Sequence, residues 1–146
     1  MANHKQAAKR ARQAEVRRQR NTAVKSRLRT RVRALRFAVD QLQTLEAGRN
    51  VHPQDVEKHL RKLTEGKAQD LSRSGYGEIS DAATKLLKKY DAKGHADLLK
   101  KLAHADLKES TRLLAKAGSK GVMHKRTVSR RISRLTKMVA GLEAGA

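Results

Sequence analysis

Six histidines, at positions 4, 52, 59, 95, 104 and 124, are the residues of this chain best suited to metal ligation or proton transfer. None lies three to five residues from another, the spacing that joins two imidazoles on one helix face. They read as solvated or locally hydrogen-bonded side chains. The sequence has no cysteine, which removes disulfides and thiolate metal sites. The acids are mixed with lysines along helix faces, the pattern of surface ion pairing, and no paired carboxylates stand in an apolar setting. The turn Gly118-Ser119-Lys120-Gly121 has the composition of a phosphate loop without its spacing, and no strand precedes it. It reads as a helix–helix turn whose backbone amides could still meet a phosphate. Neither catalysis nor a cofactor, metal or small-molecule site is expected.

The chemistry this sequence does carry is charge. Among 146 residues, 35 Lys and Arg face 14 Asp and Glu, a formal net charge of +21. A chain so charged repels itself when folded and calls for a polyanion. The excess sits at the ends. Residues 1–36 hold 13 basic residues and only Glu15, and residues 116–146 hold eight and only Glu143. Between them, 14 basic residues nearly balance 12 acids. The two ends are therefore the binding candidates. Phe37, Tyr76 and Tyr90 are the only aromatics, and none lies in a basic end. Single-strand binders stack bases on aromatic platforms, so recognition is expected to rest on phosphates, sugars and the shape of folded duplex.

The elements that must position these charges read as helix almost throughout. There is one proline, and the stretches between glycines are rich in Ala, Leu, Lys, Arg, Gln and Glu. A first helix is expected over 5–46, roughly 60 Å long at 1.5 Å per residue. Val24, Leu28, Val32, Leu35, Val39 and Leu42 form an apolar stripe on its second half. Its first half offers only alanines and Val16, so residues 1–22 are expected to be disordered or frayed in the free chain and ordered on RNA. A short helix should open at Pro53, present Val56, Leu60 and Leu63, and stop near Gly66. Ser72 to Gly77 reads as a loop. A further helix capped by Ser80 should bury Ile79, Leu86, Leu87 and Tyr90 and end before Gly94. The next, over 95–117, carries Leu98, Leu99, Leu102, Leu107, Leu113 and Leu114. The last presents Val128, Ile132, Leu135, Val139 and Leu142, with its arginines largely off that seam. No apolar run is long enough to span a bilayer.

Two blocks of residues make the chain recognisable. The opening Met1-Ala2-Asn3-His4-Lys5, then Ala8-Lys9-Arg10, Gln13, Glu15, Arg17, Asn21 and Arg29-Thr30, resembles the start of small-ribosomal-subunit protein twenty of bacteria. Lys120-Gly121-Val122-Met123-His124-Lys125, followed by Arg130-Arg131 and Leu135-Thr136, resembles that family's entry into its last helix. The blocks occur in the family's order and span residues 1–30 and 120–136. The resemblance implies an antiparallel bundle of three long helices that binds small-subunit rRNA early in assembly, in the cytoplasm. It also implies that the sequence opens at the mature start, against a transit-peptide reading. It places Asn3, Lys5, Lys9, Arg10, Gln13, Arg17 and Asn21 along rRNA, with Arg29 and Thr30 where the basic half meets the packed half. Lys120, His124, Lys125, Arg130 and Arg131 would contact RNA around the last helix. Arg18, Lys25 and Arg134 lie in the same basic ends and join the rRNA-binding candidates.

The expected fold class is thus all-α, a single rRNA-binding domain over 1–146, with 47–94 a helical insertion where the family has a short turn. That insertion is nearly neutral and is expected to extend the bundle, where it could touch neighbouring small-subunit proteins. Its last helix could also displace the family's usual second helix. Two rivals compete with rRNA bracing: a histone-like protein that compacts DNA, and a basic helix lying on a membrane surface. The latter needs bulky apolar residues opposite the basic face in 1–22, and Val16 alone does not supply them.

Overall fold

The computed structural model describes residues 4–47, 54, 55, 58, 76–88 and 92–144. Four helices organise them: α1 (Lys5–Glu46), α2 (Tyr76–Lys88), α3 (Ala92–Ser119) and α4 (Lys125–Ala144), with no strand among the described residues. Of the helix expected from Pro53, only Gln54, Asp55 and Lys58 are described, and they are helical. Val56, Leu60, Leu63 and Tyr90 lie outside the described residues, as does the side chain of Leu87.

α3 is the centre of the bundle. α1, α2 and α4 all pack on it, while α1 and α4 touch each other only lightly. Arg31 meets Asp106 through Tyr76, and Arg20 to Arg27 lie beside Arg112 to Lys120, so α1 and α3 run antiparallel. α4 returns from a tight turn and is antiparallel to α3 as well. The all-α bundle of three long helices is therefore α1, α3 and α4, and α2 does not take the place of α3.

The core is one apolar cluster drawn from all four helices. α1 contributes Leu28, Leu35, Ala38, Val39 and Leu42; α3 contributes Leu98, Leu99, Leu102, Ala103 and Leu114; α4 contributes Val128, Leu135, Val139 and Leu142. Every expected stripe residue of α4 is buried or packed against this cluster. On α1 the stripe holds from Leu28 onward, and Val24 is half-buried. The small residues Ala34 and Ala38, fully buried on α1, were not part of that stripe.

Three expectations about the middle are corrected. Tyr76 and Gly77 belong to a helix and not to a loop, so Ser80 lies inside α2 and not at its start. Gly94 lies within α3, which begins at Ala92 and not at residue 95. A glycine costs a helix about 1 kcal/mol against alanine. Burial of Tyr76 beside Gly77, and of His95, Leu98 and Leu99 beside Gly94, outweighs that cost. His95 is fully buried, against the solvated reading of the histidines, and burial lowers its pKa.

Asp106 also departs from the surface-pairing pattern. It is fully buried on α3 and accepts a hydrogen bond from the Tyr76 hydroxyl at the start of α2. Arg31 of α1 donates to the same hydroxyl at 3.4 Å and stands 5.5 Å from the centre of the Tyr76 ring. One phenol thus joins α1, α2 and α3. Burial pushes the Asp106 carboxyl up to about 6, against the opposing pull of Tyr76 and Arg31. Burial, and then the carboxylate beside it, drive the Tyr76 phenol well above its ordinary range.

Candidate nucleic-acid interface

α1 begins at an imidazole. The Gln6 N–H donates to His4 Nδ1 at 3.3 Å, and the Ala8 N–H donates to the His4 carbonyl. From there to about residue 20 nearly every side chain is exposed, Val16 included. Helix propensity, the cap and local pairs support this arm: Gln19 donates to Glu15 at 3.2 Å, and Arg18 lies 3.6 Å from the same carboxylate. The arm is regular helix from Lys5, the form that the sequence reading reserved for the RNA-bound chain.

Along this helix Lys5, Lys9, Gln13, Arg17, Asn21, Lys25 and Arg29 follow one another in steps of four. Each step overshoots a full turn by about 40°, so the row winds slowly around the helix as a single ridge. Arg10 and Arg18 flank it and are exposed, and Asn21 is half-buried. Thr30 turns its hydroxyl back to the Ser26 carbonyl at 3.2 Å. Leu28 is the first fully buried residue of α1, so Arg29 and Thr30 do sit where the arm meets the bundle. Asn3 lies outside the described residues.

The ridge ends in a cleft between α1 and α4. Arg29, Arg33 and Arg36 line one wall, Arg131 and Arg134 the other, and Leu28, Val32 and Leu135 the floor. Its volume is about 360 Å³, and no carboxylate lines it. The two basic ends of the sequence, a hundred residues apart, converge here. Arg33 and Arg36 were not among the sequence candidates; their i+4 and i+7 spacing from Arg29 was the available signal. Arg130, one residue off this wall, and Lys125 are exposed.

A second cleft, about 390 Å³, opens between α1 and α3. Arg20, Arg27, Arg112, Lys116 and Lys120 stand around Ala23, Val24, Leu113 and Ala117. Of these cations only Lys120 was foreseen. At 100° per residue the α1 walls of the two clefts face opposite flanks of the helix. Arg112 is locked in a two-pronged ion pair with Glu109, at 2.7 and 2.8 Å.

The turn from α3 to α4 is closed by its own backbone. The Val122 N–H donates to the Ala117 carbonyl and the Gly121 N–H to that of Gly118, a Schellman arrangement. Gly121 adopts φ 67°, which favours glycine. Gly118 lets α4 approach, since a Cβ there would meet Val128 at 3.2 Å. The amides of Lys120, Gly121, Val122 and Met123 all donate to carbonyls within this turn, so they are not offered to a phosphate as the sequence reading allowed. His124 caps α4 as His4 caps α1: the Arg126 N–H donates to its Nδ1 at 3.2 Å.

Among the described residues no group of acids and histidines could hold a metal, and no helix is long and apolar enough to cross a membrane. The model of the family described as ribosomal protein S20 matches residues 2–140. This chain belongs to the ribosomal protein S20 family. It is 33% identical over 137 residues to the small ribosomal subunit protein bS20 of Desulforapulum autotrophicum, covering 94% of this chain and 96% of that one. The bS20 proteins of Oleidesulfovibrio alaskensis and Syntrophus aciditrophicus are 29% and 28% identical, over 98% and 95% of this chain and 100% and 93% of theirs. No solved structure matches it significantly. The family match spans both terminal blocks and the middle between them, so the S20 resemblance extends beyond the residues that first suggested it.

Proposed function

We propose that this S20-family chain is a non-catalytic structural constituent of the bacterial small ribosomal subunit, in the cytoplasm, which binds 16S rRNA directly and braces neighbouring segments of it. The observation that carries the reading is the α1–α4 cleft: five arginines from opposite ends of the sequence around an apolar floor, with no acid to neutralise them. Phosphate is the ligand such a cleft fits, because guanidinium forks pair phosphate oxygens bidentately. The ridge from Lys5 to Arg29 would follow one backbone outward from this cleft. Sequence-independent grip on phosphates then accounts for most of the affinity, and duplex shape for the register.

The site comprises Asn3, Lys5, Lys9, Arg10, Gln13, Arg17, Arg18, Asn21, Lys25, Arg29 and Thr30 at one end. Lys120, His124, Lys125, Arg130, Arg131 and Arg134 complete it at the other. The chain acts as one domain, since one core joins all four helices. Residues 47–94 form the inserted region, anchored where Tyr76 meets Asp106, and its outer surface would face neighbouring small-subunit proteins.

A competition experiment tests this reading. Labelled small-subunit rRNA is bound at physiological salt, challenged with excess duplex DNA, and footprinted. Discrete protections that survive the DNA support site-specific rRNA binding. Diffuse protections that the DNA removes would favour the histone-like reading instead.

A further inference from the structure

The α1–α3 cleft differs from the α1–α4 cleft in ways that point to a different part of a nucleic acid. Phosphates alone need cations, and the five arginines of the α1–α4 cleft are all of one kind. In the α1–α3 cleft one of the five cations is already matched. Arg112 is held by both oxygens of Glu109, while its own side chain remains 59% exposed. A guanidinium fixed at its edge by a carboxylate loses much of its value as a phosphate ligand and becomes a rigid plane. Arginine planes, like aromatic rings, carry stacked bases in RNA recognition. The adjoining floor of Ala23, Val24, Leu113 and Ala117 is apolar, and Arg20, Arg27, Lys116 and Lys120 stand around it. At about 390 Å³ the cleft is in the size range of pockets that enclose small organic groups, roughly 300–1,000 Å³.

We propose that the α1–α3 cleft holds a single unstacked RNA nucleotide, its base against the Glu109-fixed plane of Arg112 and the apolar floor, its flanking phosphates met by Arg20, Arg27, Lys116 and Lys120. This rests on the rRNA-binding reading and adds to it a preference for a bulge, in a chain whose few aromatics lie outside the basic ends. Arg112 supplies the platform that a tyrosine or phenylalanine supplies elsewhere. The site also explains the pairing of Arg112 with Glu109, which subtracts charge from an otherwise wholly cationic cleft.

The test compares two RNA duplexes of equal length, one continuous and one carrying a single bulged 2-aminopurine, titrated with the full chain at fixed salt. The bulged duplex should bind roughly tenfold tighter, in line with the energy of stacking one base on a protein platform. The 2-aminopurine emission should change as binding saturates. Arg112→Lys keeps the charge and removes the plane. It should bring the two duplexes within about twofold of each other, by lowering affinity for the bulged duplex. Equal binding of both duplexes by the unaltered chain would overturn the proposal. So would a preference for the bulge that survives Arg112→Lys, since the base would then lie elsewhere. Footprinting on small-subunit rRNA, run on the same preparation, tests the broader reading by itself.

Discussion

The two halves of α1 have the same backbone and opposite reasons for being helical. From Leu28 to Leu42 the helix is held by α3, with Leu28, Leu35, Ala38, Val39 and Leu42 no more than 2% exposed. From Lys5 to about Gln19 nearly every side chain faces solvent. The inner half is fixed by burial, which is strong and independent of salt. The outer half depends on propensity, a histidine cap and local pairs, each contributing tenths of a kcal/mol to about 1 kcal/mol. The protein therefore separates stability from charge along a single helix: the bundle supplies a fixed base, and the arm supplies charge at a distance from it.

Substitutions that act on only one side of this division test it. The largest effect belongs to the core. Leu102 is fully buried on α3, and Leu102→Ala should lower the unfolding free energy by about 2–5 kcal/mol in urea titrations. If it cost less than 1 kcal/mol, α3 would not be the centre of the bundle. Replacing Lys9, Arg10, Arg17 and Arg18 by Ala should do the reverse. Affinity for rRNA should fall roughly a hundredfold and its salt dependence flatten by about three units of slope, while the urea midpoint stays in place. Unchanged affinity would remove the arm from the interface.

Asp106 sharpens the comparison from inside the bundle. Its carboxyl ionises near 3.8 when unfolded and at about 6 when buried. The folded pKa is the higher one, so the stability this group contributes is complete below 3.8 and lost as pH rises through about 6. Asp106→Asn should therefore gain on the unaltered chain by on the order of 2 kcal/mol between pH 4 and pH 7. His95, whose pKa burial lowers from 6.5, works in the opposite direction and loses its contribution as pH falls. A gap between the two unfolding curves that does not change with pH would show that Asp106 titrates normally. The smallest effect is expected in the α1–α4 cleft. Arg33→Gln with Arg36→Gln relieves repulsion among five arginines and should raise stability by a few tenths of a kcal/mol at low salt while weakening RNA binding. Melting curves at two salt concentrations would show it.

Much of this architecture is legible in the residue pattern. The bounds of α1, the seam of α4 and the leucines of α3 follow from helical periodicity, because burial rewards apolar residues at that spacing whatever lies opposite. The middle is less legible. Gly77 and Gly94 read as breaks, yet both lie in helices, because the burial of adjacent residues outweighs a glycine penalty of about 1 kcal/mol. His95 and Asp106 lie on the buried stripe of α3, four residues before Leu99 and four after Leu102, but as polar residues they do not mark that stripe as apolar ones do.

Composition and spacing alone determined that this chain is all-α, that its charge lies at its two ends, and that such a charge calls for a polyanion. These are local properties: propensity and charge travel with each residue, and the two terminal blocks carry the family resemblance wherever they lie in space. Only the tertiary structure decided that the ends converge on one arginine cleft, and that Arg20, Arg27, Arg112 and Lys116 share a second. Only it decided that the amides of the glycine turn are already used. Each of these depends on which faces of α1, α3 and α4 meet. That is set by which faces are buried against one another, as in the close approach of Gly118 to Val128, a property of pairs of helices that no single stretch of sequence contains.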